Sequence, residues 1–175
     1  MKKLRGGGAL PPKPTMIQLL KGLIGGFLGI LPLSLLGQST GVPWLMAPFG
    51  ATCVILFAAP ASPLAQPRNV IAGHLITSAA GLVALYSLGD SIIVMSLAVG
   101  VSIMLMQYFR SVHPPAGANP VVIILAGQSV VGFDYLVTPV LLGSITLVVI
   151  ASVINNYGTE GNWPVYWHGF GRQKG

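Results

Sequence analysis

Apolar residues run almost unbroken through four stretches of the chain, Met16 to Gln38, Asn69 to Leu88, Ser91 to Phe109 and Tyr135 to Asn155. Each is close to the ~20 residues that carry an α-helix across ~30 Å of hydrocarbon, so each is predicted to span a membrane. Two shorter apolar runs lie between them, "APFGATCVILFAAP" from Ala47 and "PPAGANPVVIILAG" from Pro114. Proline and glycine at 48 to 50 and at 114 to 117 are expected to break the helix there. A helix from Ala51 to Pro60 would then cover only about 15 Å, half the hydrocarbon. The pattern predicts an all-α membrane protein, a compact transmembrane helical bundle of four long spans plus two short broken helices.

The short runs superpose on one another. Pro48 matches Pro115, Gly50 matches Gly117, Ala51 matches Ala118 and Thr52 matches Asn119, all 67 residues apart. Downstream, "VIAGHLIT" from Val70 lies over "VLLGSITL" from Val140. The chain therefore reads as two units of long span, short span, long span, residues 16–88 and 91–155, between an N-terminal tail of 1–15 and a C-terminal tail of 156–175. If the short runs cross, Lys2, Lys3, Arg5, Lys13, Arg68, Arg110, Arg172 and Lys174 share one side, and Asp90 and Asp134 the other. Basic residues concentrate on the cytoplasmic side, which puts both termini in the cytoplasm. Three crossings per unit invert the second unit against the first, an architecture frequent in secondary transporters.

Backbone freed from a helix is tolerated in a membrane only inside protein or around a watery cavity, so the breaks mark the interior. Two helix starts facing each other from opposite sides would offer a small anion two sets of free N–H groups. Candidate substrate-binding residues are accordingly Pro48, Gly50, Ala51 and Thr52 at the first break and Pro115, Gly117, Ala118 and Asn119 at the second. Thr52 and Asn119 are placed to cap those helices or to bond a ligand. Gly50 and Gly117 are expected where backbone closes on a ligand or a neighbouring helix, and Gly117 where φ is positive. His74 lies six residues into a span, where an ionisable group normally faces a pathway, and His113 is placed to donate to an anion or relay a proton. Arg68, Asn69 and Arg110 stand beside helix starts where an anion would enter or leave.

Other features have packing explanations. Gly22 with Gly26 and Gly25 with Gly29 are overlapping GxxxG patterns, Cys53 is a lone small apolar-site residue, and Lys21 snorkels to the interface. Trp163, Tyr166 and Trp167 are expected to anchor at the membrane surface. With 53% hydrophobic and 7% charged residues, the chain is far from the quarter charged of a soluble domain. Its net charge of +6 is better explained by topology than by nucleic acid. No paired carboxylates, activated nucleophile or phosphate loop points to an enzyme, and no metal or cofactor is implied. At 18.2 kDa the chain is small for a complete transporter, so association of copies is expected, of an order the sequence does not fix.

"APFGATCVILFAAPASPLAQPRNVIAGH" at 47–74, "HPPAGANP" at 113–120 and "NWPVYW" at 162–167 closely resemble the HPP family of integral membrane proteins, over about Met16 to Trp167. The family takes its name from the tripeptide that stands here as His113, Pro114, Pro115, and is usually described with four transmembrane helices rather than six crossings. Some relatives add a soluble nucleotide-sensing domain of the CBS type, which is not seen in this sequence. Cyanobacterial and plastid members are implicated in nitrite transport. The resemblance therefore implies a transporter or channel for a small monovalent anion, nitrite first, in a bacterial inner membrane. A non-transporting membrane scaffold, its breaks serving packing alone, is the alternative.

Overall fold

The computed structural model describes residues 10–158 and 162–167. Lys2, Lys3, Arg5, Arg172 and Lys174 lie outside the described residues. Among those described the chain is helical throughout: α1 Met16–Thr40, α2 Ala47–Ala58, α3 Pro67–Leu88, α4 Ile92–Tyr108, α5 Asn119–Ala126 and α6 Leu142–Asn156. Local chemistry sets most of these ends. Thr15 and Gln18 form a reciprocal capping box at the start of α1, and the Ser91 hydroxyl accepts from the Val94 N–H to begin α4. Gly41 closes α1 at φ 68°, in the left-handed region that glycine occupies without strain.

Three stretches are long and apolar enough to cross a membrane, Met16–Thr40, Pro67–Leu88 and Phe133–Asn156. The fourth expected span, α4, is shorter at 17 residues, because Ser91 caps one end and the turn at Phe109 and Arg110 closes the other. The last span is not one regular helix. A 3-10 turn at Phe133–Leu136 and a distorted turn at Val137–Leu141 precede α6, with Thr138 extended at φ −127° and ψ 118°. Pro139 supplies no N–H for a continuous ladder at this point.

The expected break at 48 to 50 is absent. α2 begins at Ala47 with Pro48 in its first turn, where the missing N–H costs nothing, and runs helically through Gly50. The second short helix starts as expected, after a 3-10 turn at Pro114–Ala118. Gly117 is not among the described glycines of positive φ.

Side-chain bonds tie the helix ends into two layers. Lys21 near the start of α1 donates to the Asn155 carbonyl near the end of α6, at 2.9 Å. Gln66 just before α3 holds the Pro60 and Ser62 carbonyls and accepts from the Val165 N–H. Arg68 reaches the Phe109 carbonyl after α4 at 2.8 Å. At the opposite end, Gln128 donates to the Leu85 carbonyl and Tyr86 to the Val131 carbonyl. Lys21, Arg68 and Arg110 thus share one end of the bundle, and Asp90 and Asp134 lie at the other. The chain returns to the basic end after every second helix.

Packing partners exchange between the halves: α1 lies on α6 as α4 lies on α3, α2 on α6 as α5 on α3, and α1 on α2 as α4 on α5. Glycines allow the closest approaches. A Cβ at Gly73 would meet the Cβ of His113 at 2.8 Å and that of Ala116 at 3.7 Å, while one at Gly143, the matching position, would strike the Phe49 ring. Gly25 and Gly29 close on Phe57 and Cys53, whereas Gly22 and Gly26 face open space. Gly50 and Gly117 also meet nothing within 4 Å, so neither is the close-approach glycine the sequence led us to expect. Trp163 is buried in the core rather than anchored at a surface, and Trp167 is exposed. Outward residues such as Phe27 and Ile93 form the apolar surface that lipid covers.

Valine at Gly143 or Gly25 is therefore expected to lower stability by about 1–3 kcal/mol, the usual result of overpacking. Alanine at Gly50, exposed within α2, should be neutral or raise it by up to about 1 kcal/mol. Thermal unfolding in detergent, followed by gel filtration, distinguishes the two groups; equal losses at all three positions would contradict this packing.

Candidate functional site

His74 lies on the inward face of α3, fully buried, with Phe49 edge-on at a ring separation of 5.1 Å. A buried imidazole in apolar surroundings needs a partner for each nitrogen. α2 supplies one: the Thr52 hydroxyl is 2.9 Å from His74 Nε2. α5 supplies the other: Asn119 Nδ2 is 3.0 Å from His74 Nδ1. Two positions that superpose in the sequence thus meet the two sides of one ring.

The network continues in both directions. Thr52 Oγ1 is also 3.0 Å from His113 Nε2, and His113 Nδ1 is 2.8 Å from the Leu64 carbonyl. Asn119 Nδ2 also lies 3.1 Å from the His74 carbonyl and 3.0 Å from the hydroxyls of Thr77 and Ser78. Thr52, His74, Thr77, Ser78 and His113 are 0% exposed and Asn119 1%.

Donor and acceptor chemistry orders the protons. A carbonyl oxygen only accepts, so the Leu64 contact requires N–H at His113 Nδ1 and the His74 carbonyl requires the amide nitrogen of Asn119 to face it. That amide N–H donates toward His74 Nδ1, which must be bare, so His74 carries its hydrogen on Nε2. With both rings neutral, one sequence remains: His74 Nε2–H donates to Thr52, and the Thr52 hydroxyl donates to His113 Nε2. The same hydroxyl lies 3.1 Å from the Pro48 carbonyl one turn back, an alternative acceptor for its single hydrogen. Asn119 Oδ1 is buried with no partner among the described residues.

Of the residues singled out from sequence, Thr52, His74, His113 and Asn119 are brought together, with Pro48 contributing its carbonyl. Pro115 is buried in the turn behind His113. Gly50, Ala51 and Ala118 are exposed and Gly117 half-buried, and none of the four joins the network. Neither Thr52 nor Asn119 caps a helix. α2 starts before Thr52, whose hydroxyl lies in the second turn, and the Asn119 side chain points to α3. Asn69 connects outward, donating to the Val112 carbonyl and accepting from the Tyr166 hydroxyl at 2.9 Å. Arg68 caps α4 through the Phe109 carbonyl and Arg110 is exposed; neither is hydrogen-bonded to the network.

Thr77 and Ser78 were missed in the sequence. Their signal is their spacing from His74, three and four residues on, which puts all three on one helical face. Two large clefts lie elsewhere: an apolar one of about 570 Å³ between α3 and α4, and one of about 970 Å³ between α1 and the segments around Pro60 and Trp163. No network residue lines either.

The family described as "HPP, transmembrane region" matches residues 11–164. Two transmembrane proteins of Dictyostelium discoideum are similar to the chain. One is 34% identical over 175 residues, covering 95% of this chain and 56% of the relative, and the other 35% identical over 166 residues, covering 90% and 58%. The chain thus spans just over half the length of these curated relatives. No solved structure matches it.

Ring-nitrogen NMR on protein labelled with ¹⁵N-histidine, at neutral pH in detergent, is expected to find His74 protonated at Nε2 and His113 at Nδ1. The opposite assignment at either ring would break the proton order derived above. Thr52→Val removes the hydroxyl between the rings and should cost about 1–3 kcal/mol of stability, read from thermal unfolding.

Proposed function

The chain belongs to the HPP family of transmembrane proteins, and from that membership together with the buried network we propose that it is a transporter or channel for a small monovalent anion, with nitrite the first candidate. The observation that carries this reading is the burial of two histidines, a threonine and an asparagine among apolar helices. Polar and ionisable groups within a membrane are costly and usually mark a pathway. Here α2, α3, α5 and the turn before α5 each contribute, so relative movement of these helices would open the network. A small acceptor-only anion would take N–H and O–H bonds that the side chains otherwise give one another. The polar groups from Tyr166 through Asn69 to Val112 and His113 supply a route from the basic end.

The exchange of packing partners between the halves supports an inverted repeat, and the segregation of basic and acidic residues supports six crossings with the basic end in the cytoplasm. α2 and α5 are too short to cross alone; the non-helical 41–46 segment and the turn at Pro114–Ala118 would complete their passages. The rival reading, a non-transporting scaffold, draws on the closure of the network, whose members largely satisfy one another.

Purified protein in liposomes decides between these readings. Nitrite, nitrate, formate or chloride flux above that of empty vesicles is expected, and His74→Ala and Asn119→Ala should lower it by about tenfold or more, the loss of one hydrogen bond to a buried charge. Flux that never exceeds the empty-vesicle level would leave the scaffold. Topology has its own test. With Cys53 replaced, single cysteines near residues 62 and 110 should react only from the cytoplasmic side, and one near 90 only from outside. Outside labelling near 62 and 110 would remove the six-crossing arrangement.

A further inference from the structure

We propose that the His74–Thr52–His113 chain is a proton-binding site, and that the protein carries its anion together with one proton as an electroneutral pair. The inference rests on the transport reading of the same network and names what moves with the anion.

Charge balance supplies the reason. Among the described residues no lysine, arginine or carboxylate is hydrogen-bonded to the network. From α1, Lys21 is held at the basic end by the Asn155 carbonyl. From α2, Cys53 is buried against Gly29 on the side of α1. On α3, Arg68 is held by the Phe109 carbonyl, and after α4 Arg110 is exposed. The C-terminal segment offers Tyr166, which stops at Asn69 and Pro63. Around His113 itself stand Thr52, the His74 ring and the Leu64 carbonyl, and around His74 stand Phe49, Thr52, His113, Asn119, Thr77 and Ser78. Among the described residues only the two imidazoles can change charge there. A bare anion amid this network would carry an uncompensated charge in a low dielectric, which is strongly unfavourable. A proton on an imidazole cancels it.

The geometry gives that proton a place with little rearrangement. In the neutral state the Thr52 hydroxyl donates to His113 Nε2. A proton taken from water onto His113 Nε2 makes that nitrogen a donor to Thr52 Oγ1, which then accepts from both rings. The hydroxyl hydrogen turns to the Pro48 carbonyl, 3.1 Å away. All three of the hydroxyl's bonding positions are filled in the protonated state, and His113 Nδ1–H keeps Leu64 throughout. His74 cannot take the proton as readily, since its bare Nδ1 faces the Asn119 amide. Proton and anion thus stabilise each other, and each weakens the hold of the site when the other leaves.

The test uses the full chain in liposomes at pH 7 outside and pH 8 inside, with nitrite as the probe and empty-vesicle flux subtracted. One unit of pH difference should drive about tenfold accumulation, and a potassium potential imposed with valinomycin should change neither rate nor extent. Flux that follows the potential and ignores the pH difference overturns proton coupling while leaving transport intact. Absence of any flux removes both. Thr52→Val is expected to lose at least fivefold of the pH-driven accumulation and Thr52→Ser to restore it. Accumulation retained in Thr52→Val overturns the threonine-bridged site even where the wild type is coupled.

Discussion

A neutral imidazole in a hydrocarbon environment has to be met on both of its nitrogens from within the protein, and His74 is the residue on which that requirement falls hardest. An unsatisfied polar group in the bilayer core costs several kcal/mol. The partners come from α2 on one side and α5 on the other, so both short helices are pinned to α3 at the same height. Small residues make this reach achievable. Gly73 lets the His113 segment lie directly on α3, and Gly81 does the same for Pro120 about two turns further along. A side chain at either glycine would push away the segment that carries a partner of the ring.

The same geometry explains why the two halves are woven through each other. Gly73 of the first half receives Ala116 of the second, and Gly143 of the second receives Phe49 of the first, positions that correspond pairwise in the sequence. Reciprocal contact of this kind is what the proposed two-fold relation between the halves would produce. The halves are not equivalent in chemistry, however. His74 superposes on Ser144, whose hydroxyl merely bonds back to the Leu141 carbonyl. The ionisable chemistry therefore collects on one helix of the pair, and the related helix contributes packing.

Much of this was legible in the residues. Near-continuous apolar runs located α1, α3 and α4 to within about two residues, because in a membrane hydropathy and length report directly on a helix. The repeat drew attention to Thr52 and Asn119, and the rarity of histidine within a span drew attention to His74. Less legible was anything that depends on which side of a helix faces inward. Nothing in the local sequence tells that Gly50 and Gly117 meet no neighbour, while Gly25, Gly73 and Gly143 carry the contacts. Pro48 illustrates a second limit: proline breaks a helix from its interior but starts one from its first turn, and only the position of Ala47 decides between them. Trp163 was misjudged for a related reason, since an indole near a helix end packs inward when Asn156 holds its backbone, here through 2.6 and 2.8 Å bonds.

Closure of the network bears on how anything could pass through it. A permanently open pore would leave these groups solvated, and solvated groups would not need the mutual bonding seen among Thr52, His74, His113 and Asn119. Under the transport reading proposed above, their sealed burial would be the state in which the pathway is shut and the polar groups hold one another in place of a ligand. Opening from the basic end would separate the Leu64 and Val112 carbonyls from His113 and Asn69, while opening from the other end would separate Pro120 from Gly81. Both sets of contacts involve α3 but lie at opposite ends of it, so under that reading one end could part while the other stays closed, as alternating access requires.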